Sequence, residues 1–134
     1  MNKKRVNDWL LPAKGALKDA NIVKAGKIDK TYRGHISSFG AAVVMGSLPA
    51  AVAFFSDKGG SSVERQNLIK AMYFIISDDM TEDQKRDLDA AKVLDYVCKN
   101  NNNELKEKFV DASIALKLAM NFYDLGKRDS CEKS

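Results

Sequence analysis

Apolar residues recur along most of the chain in steps of three and four, the spacing of one face of an α-helix. The first stripe is Val6, Leu10, Ala13, Leu17 and Ala20. Pro12 falls inside it, and proline lacks an amide hydrogen and crowds the preceding turn. The helix therefore starts near Asp8 or Trp9, or bends there. A short connection ends at Gly26. The second stripe, Tyr32, Ile36, Phe39 and Val43, predicts a helix that opens near Asp29, whose carboxylate suits an N-cap, and closes at Gly46. Ser47 is placed to cap a third, short helix with Pro49 in its first turn, where a missing donor costs little. That helix runs to Phe55 or Ser56. Its Ala50, Ala51 and Ala53 leave room for close backbone approach.

Gly59-Gly60 is the strongest break in the chain. Ser61 and Glu64 then match a capping box. The fourth helix carries Leu68, Ile69, Met72, Tyr73, Ile75 and Ile76, an apolar face wide enough for a central helix touched on several sides. Thr81 and Gln84 form a second capping-box pattern ahead of a fifth helix with Leu88, Ala91, Leu94, Val97 and Cys98. Asn100 to Asn103 supply a polar loop and the next N-cap. The sixth helix shows Leu105, Phe109, Ala112, Leu116, Ala119 and Tyr123, with Gly126 placed to end it. Alternating runs are too short to predict a strand. The expectation is an all-α fold, a compact bundle of about six helices. It forms a single helical domain over residues 1–134, with frayed ends near 1–5 and 127–134.

The composition agrees. Of 134 residues, 45% are hydrophobic and 30% charged, enough to bury a core and keep a solvated surface. No apolar stretch reaches the roughly 18 uncharged residues of a membrane span. The nearest, residues 39–55, is broken by Gly40, Gly46, Ser47 and Pro49. The basic start, Met1-Asn2-Lys3-Lys4-Arg5, is not followed by an apolar signal core, so the sequence predicts a cytoplasmic chain without membrane attachment.

Catalytic chemistry is sparse. The single histidine, His35, has no nucleophile near it in sequence and reads as a helix-surface or boundary residue. Cys98 and Cys131 allow one disulfide at most, and with one histidine they do not complete a zinc site. Asp78, Asp79, Glu82, Asp83, Asp87 and Asp89 lack the ligand alternation and central glycine of a calcium loop. Acids at a helix start opposing the dipole explain them more simply. Gly59-Gly60-Ser61-Ser62 lacks the lysine spacing of a phosphate loop. No metal, cofactor, small-molecule substrate or enzyme activity is expected.

Charge is the informative property. The net +4 is uneven: residues 1 to 35 hold nine Lys/Arg against three acids, a net +6, while the remainder is −2. Lys24, Lys27, Lys30 and Arg33 step by three across the approach to the second helix, and Lys58 ends the third. Long cations so placed can reach phosphates without reading bases. The alternative is a solvated surface, with Lys58 opposing the negative end of its helix dipole.

The segment YRGHISSFGAAVVMGSLPAAVAFFSDK, residues 32–58, resembles the small subunit of the type III-B CRISPR effector, the Cmr complex. That family has a tyrosine opening a helix, an apolar stripe, a glycine-leucine break and a small-residue helix ending in Ala-Phe, often followed by lysine. Tyr32, Phe39, Val43, Leu48, Ala53, Phe54 and Lys58 fall at matching spacings. SSVERQNLIKAMYFII, residues 61–76, is similar to the family's next helix. Gly40 stands where the family often has proline, and Gly46 lies one residue early. The resemblance implies a non-catalytic subunit that stacks with copies of itself beside the backbone subunits, under the large subunit, along the path of CRISPR RNA and target RNA. It makes Lys24, Lys27, Lys30, Arg33 and Lys58 the expected RNA contacts. A helical adaptor binding protein alone is the alternative. A DNA-binding regulator is disfavoured because the third helix is apolar and alanine-rich rather than basic.

Overall fold

The apolar stripes wind into eight α-helices over residues 1–57 and 64–124, which the computed structural model of the chain describes. In order they are α1 (Lys3–Asp8), α2 (Leu10–Asp19), α3 (Thr31–Met45), α4 (Leu48–Ser56), α5 (Gln66–Ile76), α6 (Glu82–Asp87), α7 (Ala90–Lys99) and α8 (Asn103–Ala119), followed by a 3-10 turn at Met120–Phe122. The fold is all-α, as expected. Eight replaces six because the first and fifth expected helices are each divided.

The first division falls at Trp9. The Asn2 side chain accepts from the Arg5 N–H at 3.0 Å and starts α1, and the Trp9 N–H closes it on the Arg5 carbonyl. A continuous helix would press the Pro12 ring against the Asp8 carbonyl. Restarting at Leu10 puts Pro12 in the first turn of α2, where its missing donor has no intrahelical acceptor to serve. The second division follows α6, which the Thr81–Gln84 capping box starts as expected. Leu88 is extended, and the Asp89 carboxylate accepts from the Lys92 N–H at 2.9 Å to start α7. The break resets the helical phase. Ala90, Val93 and Val97 are buried, Leu88 and Leu94 half-buried, and Ala91 and Cys98, expected in the stripe, are exposed.

Other starts and stops follow the sequence. Asp29 accepts from the Thr31 N–H at 2.9 Å, Ser47 accepts from the Ala50 N–H at 3.2 Å, and Asn102 accepts from the Leu105 N–H at 2.8 Å. Gly46 ends α3. Gly59-Gly60, Ser61 of the first capping box, Lys58, Gly126 and Cys131 lie outside the described residues.

Buried apolar side chains of the described residues form one cluster. At its centre, α5 packs on α2, α4, α7 and α8, and α8 also packs on α1 and α3. Tyr32, Ile36, Phe39 and Val43 of α3 are buried, as are Leu105, Phe109, Ala112, Leu116 and Ala119 of α8. Phe39 meets Phe55 edge-on at 5.4 Å between ring centroids and Phe109 at 6.5 Å, joining α3, α4 and α8.

Two further features stand out. The amino-terminal residues are tied to α8. Arg5 Nε and Nη2 both lie 2.9 Å from Oδ2 of the buried Asp111 on α8, and the Asn2 N–H reaches Asp111 Oδ1 at 3.3 Å. The connection before α3 also contains a hairpin, β1 (Val23–Lys24) with β2 (Lys27–Ile28), paired antiparallel. Its turn residues Ala25 and Gly26 have φ of 55° and 76°, the positive values a two-residue hairpin of matching twist requires. Gly26 adopts such a φ without steric cost. Ile28 faces the core at 1% exposure, and its N–H donates to the Asp124 carbonyl at 2.8 Å. The Asp124 N–H donates to the Gly26 carbonyl at 3.2 Å, so the segment after α8 closes on the hairpin.

Candidate nucleic-acid interface

The hairpin changes how the predicted cations are arranged. Lys24 and Lys27 lie in the hairpin of the connection before α3. They stand opposite one another across the two strands, both exposed, while Val23 and Ile28 take the inner side. Lys30 and Arg33 share a helix face, at the start of α3, with Lys30 exposed at the N-cap and Arg33 half-buried. Arg33 Nη1 donates to Asn121 Oδ1 at 3.1 Å, which holds the guanidinium against the segment after α8. Lys27 reaches the same segment through a backbone bridge to Asp124. Residues 121–124 thus tie Lys27 and Arg33 into one surface. Lys58 lies outside the described residues.

The electrostatics of this surface are unfavourable for the chain alone. Like charges directly opposite in a strand pair destabilise it, by on the order of a few tenths of a kcal/mol when solvated. Cations at a helix N-terminus oppose the dipole, and the first turn of α3 holds no acid. Of the three acids of residues 1 to 35, two are engaged away from this surface and the third bonds the start of α3. Asp8 pairs with Lys4 at 2.9 Å, Asp19 with Lys85 at 2.7 Å, and Asp29 accepts from the Thr31 N–H. Among the described residues, none of Lys24, Lys27 and Lys30 has an ion-pair partner, whereas Lys99 and Lys108 pair with acids on their own helices.

Sequence reasoning did not single out Lys14, Asn121 or Phe122 as part of this surface. The Lys14 ammonium lies 4.9 Å from the Phe122 ring centroid, and the Tyr123 hydroxyl donates to the Lys14 carbonyl at 3.0 Å. Burial pushes the Tyr123 phenol pKa up. Phe122 falls four residues after Leu118, off the buried stripe of α8. An apolar residue on the polar side of an amphipathic helix was the signal that could have found it.

A second cation–aromatic group flanks the end of α4. The Arg65 guanidinium lies 4.7 Å from the centroid of the exposed Phe54 and donates to the Asp57 carbonyl at 3.4 Å. His35 meets Phe55 edge-on at 6.3 Å and is half-buried, the boundary position expected. Burial, and then Arg65, lower its pKa, with Asp29 acting weakly in the other direction. Among the described residues no group of three or more His, Cys, Asp or Glu is arranged to hold a metal, and no helix is long and apolar enough to cross a membrane.

Comparison of the chain with models of known protein families, with curated proteins and with solved structures finds no match.

Proposed function

We propose that the chain is a non-catalytic small subunit of a type III-B CRISPR effector complex, acting in the cytoplasm. In this reading Lys24, Lys27, Lys30 and Arg33 meet phosphates along the path of CRISPR RNA and target RNA. The observation that carries it is the uncompensated charge. Among the described residues, Lys24, Lys27 and Lys30 have no ion-pair partner and Arg33 is anchored to Asn121, while Asp8 and Asp19 pair with lysines away from them. A polyanion supplies the missing counter-charge.

Assignment to this complex rests on the resemblance of residues 32–58. Tyr32, Phe39, Val43 and Leu48 of that motif are buried along α3 and at the start of α4, so they specify packing. Ala53 and Phe54 of the same motif are exposed in the second half of α4, as are Val44 and Met45 at the end of α3. In the proposed complex these exposed apolar residues meet neighbouring protein, whether backbone subunits, the large subunit or copies of the chain.

The test is reconstitution with the other subunits after Lys24, Lys27, Lys30 and Arg33 are changed together to Ala. Target-RNA affinity should fall, and the log–log salt slope should flatten by about 0.7 for each single-strand phosphate no longer neutralised. Incorporation should remain normal. Unchanged affinity and slope with normal incorporation would leave the helical adaptor as the better reading. Failure of the unmodified chain to incorporate would remove the assignment to this complex.

A further inference from the structure

Phe122 is a large aromatic residue left 50% exposed on the segment that Lys14 and Arg33 contact. Its surroundings are built by three separate elements. Lys14 of α2 sits 4.9 Å from the ring centroid. The preceding residue, Asn121, accepts from Arg33 of α3 at 3.1 Å. Two residues further on, Asp124 pairs through its backbone with the Lys27 strand and with Ile28 and Gly26. The ring is therefore carried on a short segment bonded to α3 and to the hairpin, with the Lys14 ammonium over one of its faces. Asp124 is the one acid of residues 121–124.

Burying Phe122 would have been favourable for folding, as it is for Phe39, Phe55 and Phe109. A rigid, exposed aromatic ring among phosphate-reaching cations has the composition of a stacking platform for single-stranded nucleic acid. There, cations follow the backbone and π-faces receive bases without regard to sequence. A duplex keeps its bases stacked on one another and offers no free face to such a ring.

We propose that Phe122, with Lys14 over one face of its ring, stacks an unpaired base of single-stranded RNA on the opposite face, the phosphates lying on Lys27 and Arg33. The proposal rests on reading the basic surface as an RNA interface and adds that the RNA there is locally unpaired. Lys14 positions the ring and contributes charge, and Phe122 makes the base contact.

The experiment uses the full chain and fluorescence anisotropy with a labelled, non-self-complementary RNA of about twelve nucleotides, within the site sizes known for such surfaces. The same strand annealed to its complement provides the duplex probe, and both are titrated at low salt and over a salt series. Phe122→Ala should weaken single-strand binding about 5- to 150-fold, the loss of one base–aromatic stack. The salt slope should not change, because no cation is removed. Phe122→Trp should bind as well as the unmodified chain or better, and Phe122→Leu should behave like Ala. Duplex affinity should be unaffected by all three. Unchanged single-strand binding by Phe122→Ala, equal losses on single strand and duplex, or full rescue by Leu would each overturn the stacking site. If these occur while the unmodified chain keeps its salt-dependent binding, the basic-surface reading survives alone. If the unmodified chain shows no salt-dependent binding to either probe, both readings fall.

Discussion

The ion pair between Arg5 and Asp111 lets the contribution of the amino-terminal helix be measured. The Asp111 side chain is 1% exposed and that of Arg5 23% exposed. Two guanidinium nitrogens converge on Asp111 Oδ2 at 2.9 Å, and the Asn2 N–H approaches Oδ1 at 3.3 Å. Arg5→Ala removes the charged partner and leaves a buried carboxylate with one long backbone hydrogen bond. Breaking a buried pair in this way typically costs about 3–5 kcal/mol. Because Arg5 reaches partly to the surface, water can take up some of the vacated space, which places the expected loss near the lower end, about 3 kcal/mol. The same substitution also removes the guanidinium from the Trp9 ring, 5.5 Å from its centroid. Asp111→Leu should cost less, since the arginine can turn toward water while the leucine fills the site. The double variant Arg5→Ala with Asp111→Leu should be more stable than Arg5→Ala alone. Urea titrations of the four proteins, with m-values compared, measure the cycle. A loss below about 1 kcal/mol for Arg5→Ala, or a double variant no better than that single one, would refute the reasoning. It would show that α1 contributes little to holding the bundle together.

Other consequences can be checked in the same way. Leu116 is fully buried at the middle of α8, so Leu116→Ala should destabilise by about 2–5 kcal/mol through reduced burial and a residual cavity. A denaturant titration reading under about 1 kcal/mol would contradict its place in the core. His35, whose folded-state pKa burial lowers, stays neutral more readily folded than unfolded. Its contribution is intact above its unfolded pKa of about 6.5 and is lost as pH falls from there through the lowered folded value. Urea midpoints between about pH 7.5 and 5.5 should therefore drop more for the unmodified chain than for His35→Gln, and parallel curves would rule the effect out.

The bundle was legible where one local signal decided the outcome. The stripes of α3 and α8 are buried as their spacing required, and Ser47, Thr81 and Asn102 each cap a start, while Asp29 lies one residue ahead of the α3 N-cap, Lys30, and bonds the Thr31 N–H. Divisions were harder. Leu88 and Asp89 are compatible with a continuous helix by spacing alone, and only the Asp89 cap, competing with the backbone, resets the phase of α7. The hairpin left almost no trace, because two-residue strands carry no alternation to read. Its partner segment lies about a hundred residues away, at Asp124. The cations of the candidate site were found by composition. Their arrangement was not, because a tight turn sets Lys24 and Lys27 opposite one another in what reads in the sequence as only a short connection. Phe122 escaped notice because exposure is decided by which helix covers which face.

The uncompensated cluster gives the two readings of the basic end opposite thermodynamic signs. Asp19, the acid nearest the hairpin before it, reaches across to Lys85 on α6, while Asp29 bonds the first turn of α3 and Asp124 pairs through its backbone with the Lys27 strand, so acids offset only part of the cluster. Lys24 and Lys27 repel across the strands, and Lys30 and Arg33 sit at the positive end of a helix. The core of α5 and α8 supplies stability enough to tolerate this, since solvated charge effects of this kind amount to about 1 kcal/mol or less each. Neutralising Lys24, Lys27 and Lys30 relieves repulsion in the free chain and makes no ion pair vanish. Arg33 alone gives up a partner, through its hydrogen bond to Asn121. If the proposed function holds, a polyanion on this surface makes favourable what costs the free chain a little, so removal of the four cations should register in RNA affinity and not in stability.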